Sequence, residues 1–355
     1  MSDRTIAPFL RNAWYVAAWP EEIGEEPLAR TIMNQPIVLF RDADGRAAAL
    51  EDRCCHRGAP LTHGTVVADG IQCGYHGLVY DRTGRCVRIP GQERIAGEAR
   101  VRSYPVVERQ QFVWIWMGDP ALADQGTILD YPWHDQPERW PHRRAMFRIA
   151  ANYMMMMDNL MDLSHLGYLH ARTIGGSPLV HSTAEMKVER RPSGVMLIRE
   201  MHDMPPPPSF VKAVGFKGPI DRRQEFEYVA PAAVLQWAGA VDTGKDVKDE
   251  SDPGAFRVRL FHGATPETES SFHYFWSSAT GFRTDDPRAV EDFFEEVHRT
   301  FHEDKAIMEA QQLRIALDPG RDLVAIRADN ALVAARRHLQ RLLDAENAAH
   351  SIAAE

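Results

Sequence analysis

Short apolar runs separated by turn residues fill the first third of the chain. The runs WYVA at 14–17, IVLF at 37–40 and FVWIW at 112–116 are divided by breakers such as Asp44-Gly45 and Gly84. Runs of this length bounded by Gly and Asp predict short strands. Gly118-Asp119-Pro120 closes the stretch, so a β-rich domain is expected over residues 1–120 and a second domain over 121–355.

Beyond that point the pattern mixes two periods. Residues 152–170 carry Met, Leu and Asn/Asp at helical spacing, with no Pro or Gly before Gly167. The MPPPPS run at 204–209 predicts a loop, while 224–240 and 256–276 alternate like antiparallel strands. A long helix is expected over 287–313, with Pro287 in its first turn. Another amphipathic helix follows, capped by Asp329 or Asn330, with Leu332, Leu339, Leu342 and Leu343 on its apolar face. The fold class predicted is α+β: a β-rich domain, then an antiparallel sheet with helices.

Composition narrows the function classes. The 355 residues are 44% hydrophobic and 26% charged, with a formal net charge of −9. That balance suits a globular protein and argues against non-specific nucleic-acid binding. No apolar run reaches the ~20 residues needed to span a bilayer, and the N-terminus lacks the basic start and clean apolar core of a signal peptide. Four cysteines, three of them between residues 54 and 73, give no disulfide framework, so a reducing cytoplasm is expected.

Those three cysteines belong to the most informative stretch. Cys54-Cys55-His56 and Cys73-Gly74-Tyr75-His76 repeat one theme, a Cys closely followed by a His, with sixteen residues between His56 and Cys73. Two thiolates and two imidazoles hold either a tetrahedral zinc or a [2Fe–2S] cluster whose second iron takes two His. Zinc fingers pair Cys with Cys and His with His. Here each loop offers one of each, so each loop can serve both irons. The string C-x-H-R-G-A-P-L followed by C-x-x-H-G is similar to Rieske proteins well beyond the ligands Cys54, His56, Cys73 and His76.

A second constellation lies at 159–170, where Asp162, His165 and His170 form D-x-x-H-x4-H on one predicted helix. Two imidazoles and a carboxylate make the facial triad of non-haem Fe(II) oxygenases. On an ideal helix His165 and His170 sit about 140° apart, so convergence on one metal requires a bulge or a break. Two His on a helix are by themselves ordinary. About 90 residues after a C-x-x-H motif, NLMD-x-x-H-x4-H resembles the catalytic domain of Rieske non-haem iron oxygenases, in particular the vanillate/dicamba O-demethylase group. The resemblance runs from FLRNAWYVAAW through HEDKAIMEAQQ to the last helix.

The resemblance implies a Rieske cluster and a mononuclear Fe(II) held by His165, His170 and Asp304, with Asn159 close to the iron. It implies that Asp162 supports His165 through its carboxylate and meets His76 of a neighbouring subunit in a homotrimer. It implies a monooxygenase that takes O2 and a small aromatic substrate, with O-demethylation of a vanillate-like acid favoured over N-demethylation, methyl or ring hydroxylation. Electrons would come from an NAD(P)H-dependent flavin/[2Fe–2S] reductase or a ferredoxin, since the chain has no G-x-G-x-x-G. Gln236, His262 and Glu295 fall on pocket positions, Glu295 in place of an aromatic. The run Met154 to Met157 is expected in the core, with one or two lining the cavity. A bare electron carrier, the competing class, would have no use for the second constellation.

Overall fold

The structure, a computed structural model, describes residues 9–354; the first eight residues of the N-terminal segment lie outside it. The chain divides into two compact units.

The first comprises Phe9–Asp130 with Thr265–Thr268. Its strands are β1 (Trp14–Ala18), β2 (Leu28–Ile32), β3 (Gln35–Arg41), β4 (Ala47–Glu51), β5 (Thr65–Val67), β6 (Gly70–Gln72), β7 (Val79–Tyr80), β8 (Cys86–Arg88), β9 (Ser103–Tyr104), β10 (Val106–Arg109) and β11 (Phe112–Trp116). They form three small antiparallel sheets, β1-β11-β10, β2-β3-β4-β9 and β5-β6-β7-β8. Val38, Phe40, Leu50, Ile71 and Tyr80 pack in one core that includes the Cys54 and Cys73 side chains. The unit continues past Gly118-Asp119-Pro120 to Asp130 through short 3-10 turns. The Trp14 indole fastens that extension by donating to the Asp124 carbonyl at 2.9 Å.

The second unit holds Tyr131–Ala264 and the chain from Glu269 onward. Its strands are β12 (His142–Ile149), β13 (Glu185–Arg190), β14 (Gly194–Met204), β15 (Ile220–Val229), β16 (Ala233–Asp242), β17 (Phe256–Thr268, whose last four residues fall in the first unit) and β18 (Ser271–Thr280). They make one seven-stranded antiparallel sheet in the order β12-β18-β17-β16-β15-β14-β13. Its helices are α1 (Tyr153–Met161), α2 (Leu166–Leu169), α3 (Pro178–Ser182), α4 (Pro208–Val214), α5 (Pro287–Leu317) and α6 (Asn330–Ala354). Asp286 caps α5 by accepting from the Arg288 and Ala289 N–H groups, and Pro287 sits in the first turn as expected. The proline run is split: Pro208 opens α4, where a missing N–H costs nothing.

Burial in β15 alternates strictly, with Ile220, Arg222, Gln224, Phe226 and Tyr228 inward and Asp221, Arg223, Glu225 and Glu227 towards the outer face. Register extends the inner face to Arg199 on β14, Gln236 and Ala238 on β16, and Val258, Leu260 and His262 on β17. Phe275, Trp276 and Phe282 are buried, as core residues should be.

Candidate metal centres

In the first unit, β4 leads into the Cys54 loop and the β6–β7 hairpin carries the Cys73 loop. The two loops fold alike. Cys54 N–H donates to the Ala59 carbonyl at 2.8 Å, and Cys73 N–H to Leu78 at 2.7 Å. Gly58 and Gly77 close each loop by donating back to the Cys carbonyl, at 2.9 and 3.0 Å. Both glycines have left-handed backbone, φ +71° and +75°, a region closed to most side chains.

This folding buries Cys54 and Cys73 and leaves His56 and His76 exposed, their ring centroids 4.5 Å apart. Burial pushes the Cys73 thiol up, against the pull of the Tyr75 and His76 backbone N–H groups aimed at its sulfur. The Tyr80 hydroxyl lies 3.0 Å from Cys54 Sγ and 3.2 Å from Cys55 Sγ. Two buried thiolates ringed by donors and two solvent-facing imidazoles fit a [2Fe–2S] cluster with one Cys₂ iron and one His₂ iron. Sequence reasoning missed Tyr80, because nothing in its strand marks a tyrosine facing sulfur.

In the second unit the predicted helix over 152–170 is broken at Asp162, whose backbone is extended (φ −127°, ψ 100°). A 3-10 turn at Leu163–His165 and the short α2 follow. The break, with this change of pitch, brings the two imidazoles together, centroids 5.3 Å apart. Gly167 serves close packing: a Cβ there would meet Pro178 Cα of α3 at 2.5 Å.

His165 Nδ1 donates to the Asp162 backbone carbonyl at 2.7 Å, and His170 Nδ1 to Glu303 Oε2 at 2.6 Å. With Nδ1–H so committed, each Nε2 presents a lone pair. Both aim at Asp304 Oδ1, 3.8 Å from His165 and 3.0 Å from His170. Asn159 Nδ2 donates to the same oxygen at 2.9 Å. Three acceptors facing one another repel unless a cation lies among them, and the donor atoms all fall within 4.8 Å. Two imidazoles and one carboxylate fit Fe(II) with open positions. Burial lowers the His165 pKa. For His170 burial is outweighed by Asp304 and Glu303, and its pKa is raised.

Two expectations need correction. The Asp162 carboxylate accepts from the Ser164 N–H at 2.9 Å, capping the turn; support of His165 comes from the Asp162 backbone, because the helix break turns that carbonyl towards the ring. Glu295 is exposed on α5 and does not line the cavity beside the triad. It precedes Asp304 by nine residues, which at about 100° each puts it on the opposite face. Glu303 was missed: only the fold reveals that it faces His170.

Gln236 and His262 do come together. His262 Nε2 is 3.0 Å from Gln236 Oε1, and its Nδ1 is 2.6 Å from the Tyr274 hydroxyl. Burial pushes the His262 pKa down to about 3, so the ring is neutral. Beside the triad a cavity of about 990 Å³ is lined by Met155, Asn159, Asp162 and His165. Met154, Met156 and Met157 are buried in the core, so one member of the methionine run reaches the cavity.

Residues 13–105 match the Rieske [2Fe-2S] domain, and residues 149–345 match the vanillate O-demethylase oxygenase C-terminal domain. A toluene-4-sulfonate monooxygenase system iron-sulfur subunit of Comamonas testosteroni is 40% identical over 96% of this chain and 98% of its own. A vanillate O-demethylase oxygenase subunit of a Pseudomonas species is 38% identical, covering 96% and 97%. Among solved structures, dicamba monooxygenase bound to 3,6-dichlorosalicylic acid superposes with TM-score 0.90 at 34% identity, over 96% of this chain and 100% of that one.

Proposed function

We propose that this chain, which belongs to the family of Rieske non-haem iron oxygenases and is the terminal oxygenase of a monooxygenase system, hydroxylates a methyl group of a small aromatic acid. The favoured reaction is O-demethylation of a vanillate-like substrate. The observation that carries this reading is the convergence of the His165 and His170 Nε2 lone pairs on Asp304 beside the cavity at Asn159.

Iron held by these three residues would activate dioxygen with electrons relayed from a [2Fe–2S] cluster on Cys54, His56, Cys73 and His76. Overall, one O2, two electrons and two protons convert a methyl C–H into C–OH and release water. On an aryl methyl ether the product is a hemiacetal, which collapses to a phenol and formaldehyde. The chain's own part is placement. Glu303 and the Asp162 carbonyl hold the imidazoles, Asn159 orients Asp304, and Gln236 with His262 forms a polar wall on the inner face of the sheet. His262 is fully buried there and Gln236 half-buried.

A reductase or ferredoxin supplies the electrons, an NAD(P)H-dependent flavin/[2Fe–2S] protein being the expected form. A head-to-tail trimer would let His76 of one chain meet Asp162 of the next, for which an exposed His76 and a cavity-lining Asp162 are suited. Among the described residues no helix is long and apolar enough to cross a membrane, and free thiols suit the cytoplasm.

A second reading, hydroxylation of an aryl methyl without demethylation, is favoured by the 40% identity to the toluenesulfonate subunit. Supplying the holoenzyme with a reductase, O2 and either vanillate, 4-methoxybenzoate or toluene-4-sulfonate separates the two. Formaldehyde release supports the first, and a benzylic alcohol the second. His165→Ala should abolish both products while leaving the cluster's visible spectrum unchanged; product formation by that variant would refute the iron assignment.

A further inference from the structure

Four methionines in a row, Met154 to Met157, follow Tyr153 in the first turns of α1. Their chemistry is the same and their surroundings are not. Met154, Met156 and Met157 are each 1% exposed and packed in the core. Met155 is half-buried and lines the cavity beside the triad, the one sulfur among the described residues that do so. Helix phase explains the difference. Successive residues project about 100° apart, and the cavity runs along the face that Met155 shares with Asn159, four residues on.

That face leads to the metal site. Side chains four apart on a helix stand ~5–6 Å from each other at Cβ, and Asn159 Nδ2 donates to Asp304 Oδ1 at 2.9 Å. His165, whose Nε2 faces the same carboxylate, lines the same cavity. The Met155 thioether, on a chain of rotatable bonds, therefore shares open space with the iron ligands, with no packed layer between. Leu169, Ile307, Ile315 and Leu332 also line that space, and their C–H bonds are harder to oxidise than sulfur. Met186, on β13, is 39% exposed and does not line the cavity. Solvent access and access to the metal site thus fall on different methionines.

We propose that Met155 is a self-oxidation site: when O2 is reduced at the iron with no aromatic in place, the Met155 thioether takes up the oxygen and becomes the sulfoxide. The inference goes beyond the methyl-hydroxylation reading and rests on its assignment of the mononuclear iron.

The chemistry balances with the reactants already named. Two electrons from the reductase and two protons convert O2 to hydrogen peroxide. The thioether then gives two electrons to the peroxide: the O–O bond breaks, an S–O bond forms, and water leaves. The oxidant arises inside the cavity, so the step needs no opening to solvent and runs equally where a partner chain meets Asp162. The product bears on the metal. A sulfoxide is polar where the thioether was apolar, and one turn from Asn159 its oxygen competes with Asp304 for the Asn159 amide. A methionine sulfoxide reductase restores the thioether.

Peptide mass mapping of the holoenzyme provides the test, after incubation with reductase, NAD(P)H and isotopically labelled O2, without an aromatic and with catalase in solution. Met155 should gain one labelled oxygen atom, and its sulfoxide should exceed that of Met186 about tenfold, because access to the oxidant decides the site. His165→Ala, and protein carrying zinc in place of the mononuclear iron, should leave Met155 unmarked. Marked protein should release iron to a graded chelator faster than unmarked protein, and Met155→Leu should keep its iron through the same treatment. Equal marking of Met155 and Met186, or marking that catalase abolishes, would assign the oxidation to bulk peroxide and overturn the proposal. So would an unmarked Met155 in protein that reduces O2 and hydroxylates an aromatic when one is supplied, and the oxygenase reading would then stand alone. Protein that binds no mononuclear iron and consumes no O2 would overturn both.

Discussion

Glu303 and Asp304 hold one imidazole from both of its nitrogens: Glu303 Oε2 lies 2.6 Å from His170 Nδ1, and Asp304 Oδ1 lies 3.0 Å from Nε2. Two consecutive residues of α5 can do this because they project about 100° apart around the helix. The arrangement sets the tautomer of His170 and its angle to the metal.

Glu303→Ala should therefore lower affinity for the mononuclear iron by about 10–100-fold, the usual effect of losing a group that orients a metal ligand. Glu303→Gln, which keeps an acceptor oxygen, should lose less. Iron retained after dialysis against graded chelator, with cluster absorbance as internal control, reports the difference. Parent-like retention in the alanine variant would make Glu303 a bystander.

Tyr80→Phe removes the hydroxyl 3.0 Å from Cys54 Sγ. Hydrogen bonds to cluster sulfurs stabilise the reduced, more negative state, so the variant's midpoint potential should fall with the cluster still assembled. A potential identical to the parent's would show that the hydroxyl does not act on the cluster.

Gly167→Ala would drive its Cβ into backbone atoms of Pro178, at 2.5 and 2.9 Å. Backbone cannot rotate aside, so overpacking of about 1–3 kcal/mol is expected, with displacement of α2 and weaker iron binding. Urea unfolding that agrees with the parent to within ~0.5 kcal/mol would contradict this.

His262 makes stability depend on pH. Burial lowers its folded-state pKa to about 3, while the unfolded chain takes up the proton near pH 6.5. Between those values the unfolded state binds more protons, so this stabilisation is complete above about pH 6.5 and declines as pH falls towards 3. His181, lowered to about 4 by burial and the nearby arginines, acts in the same direction. His262→Gln should flatten the slope by up to one proton, about 1.4 kcal/mol per pH unit. Denaturant titrations at pH 4.5, 5.5 and 6.5 measure it, and parallel slopes for parent and variant would refute it.

Local pattern identified much of this protein. Cys54, His56, Cys73 and His76 are close in sequence, and turn glycines at fixed offsets mark the loops that carry them. His165 and His170 are likewise local, and the start of α5 at Pro287 and the alternation along 224–240 are read from breakers and periodicity. These features depend on neighbours within a few residues, which is what a sequence displays.

Tertiary structure decided the rest, because it depends on which face of an element meets which other element. Asp304 and Glu303 become partners of His170 through the docking of α5, and the same helix phase turns Glu295 outward. The broken helix gives His165 a backbone carbonyl where a carboxylate was expected. Along β15, Arg222 and Arg223 are adjacent and alike in sequence. Pleat and register alone send one to a pair of glutamates and the other, without a carboxylate of its own, into the interior.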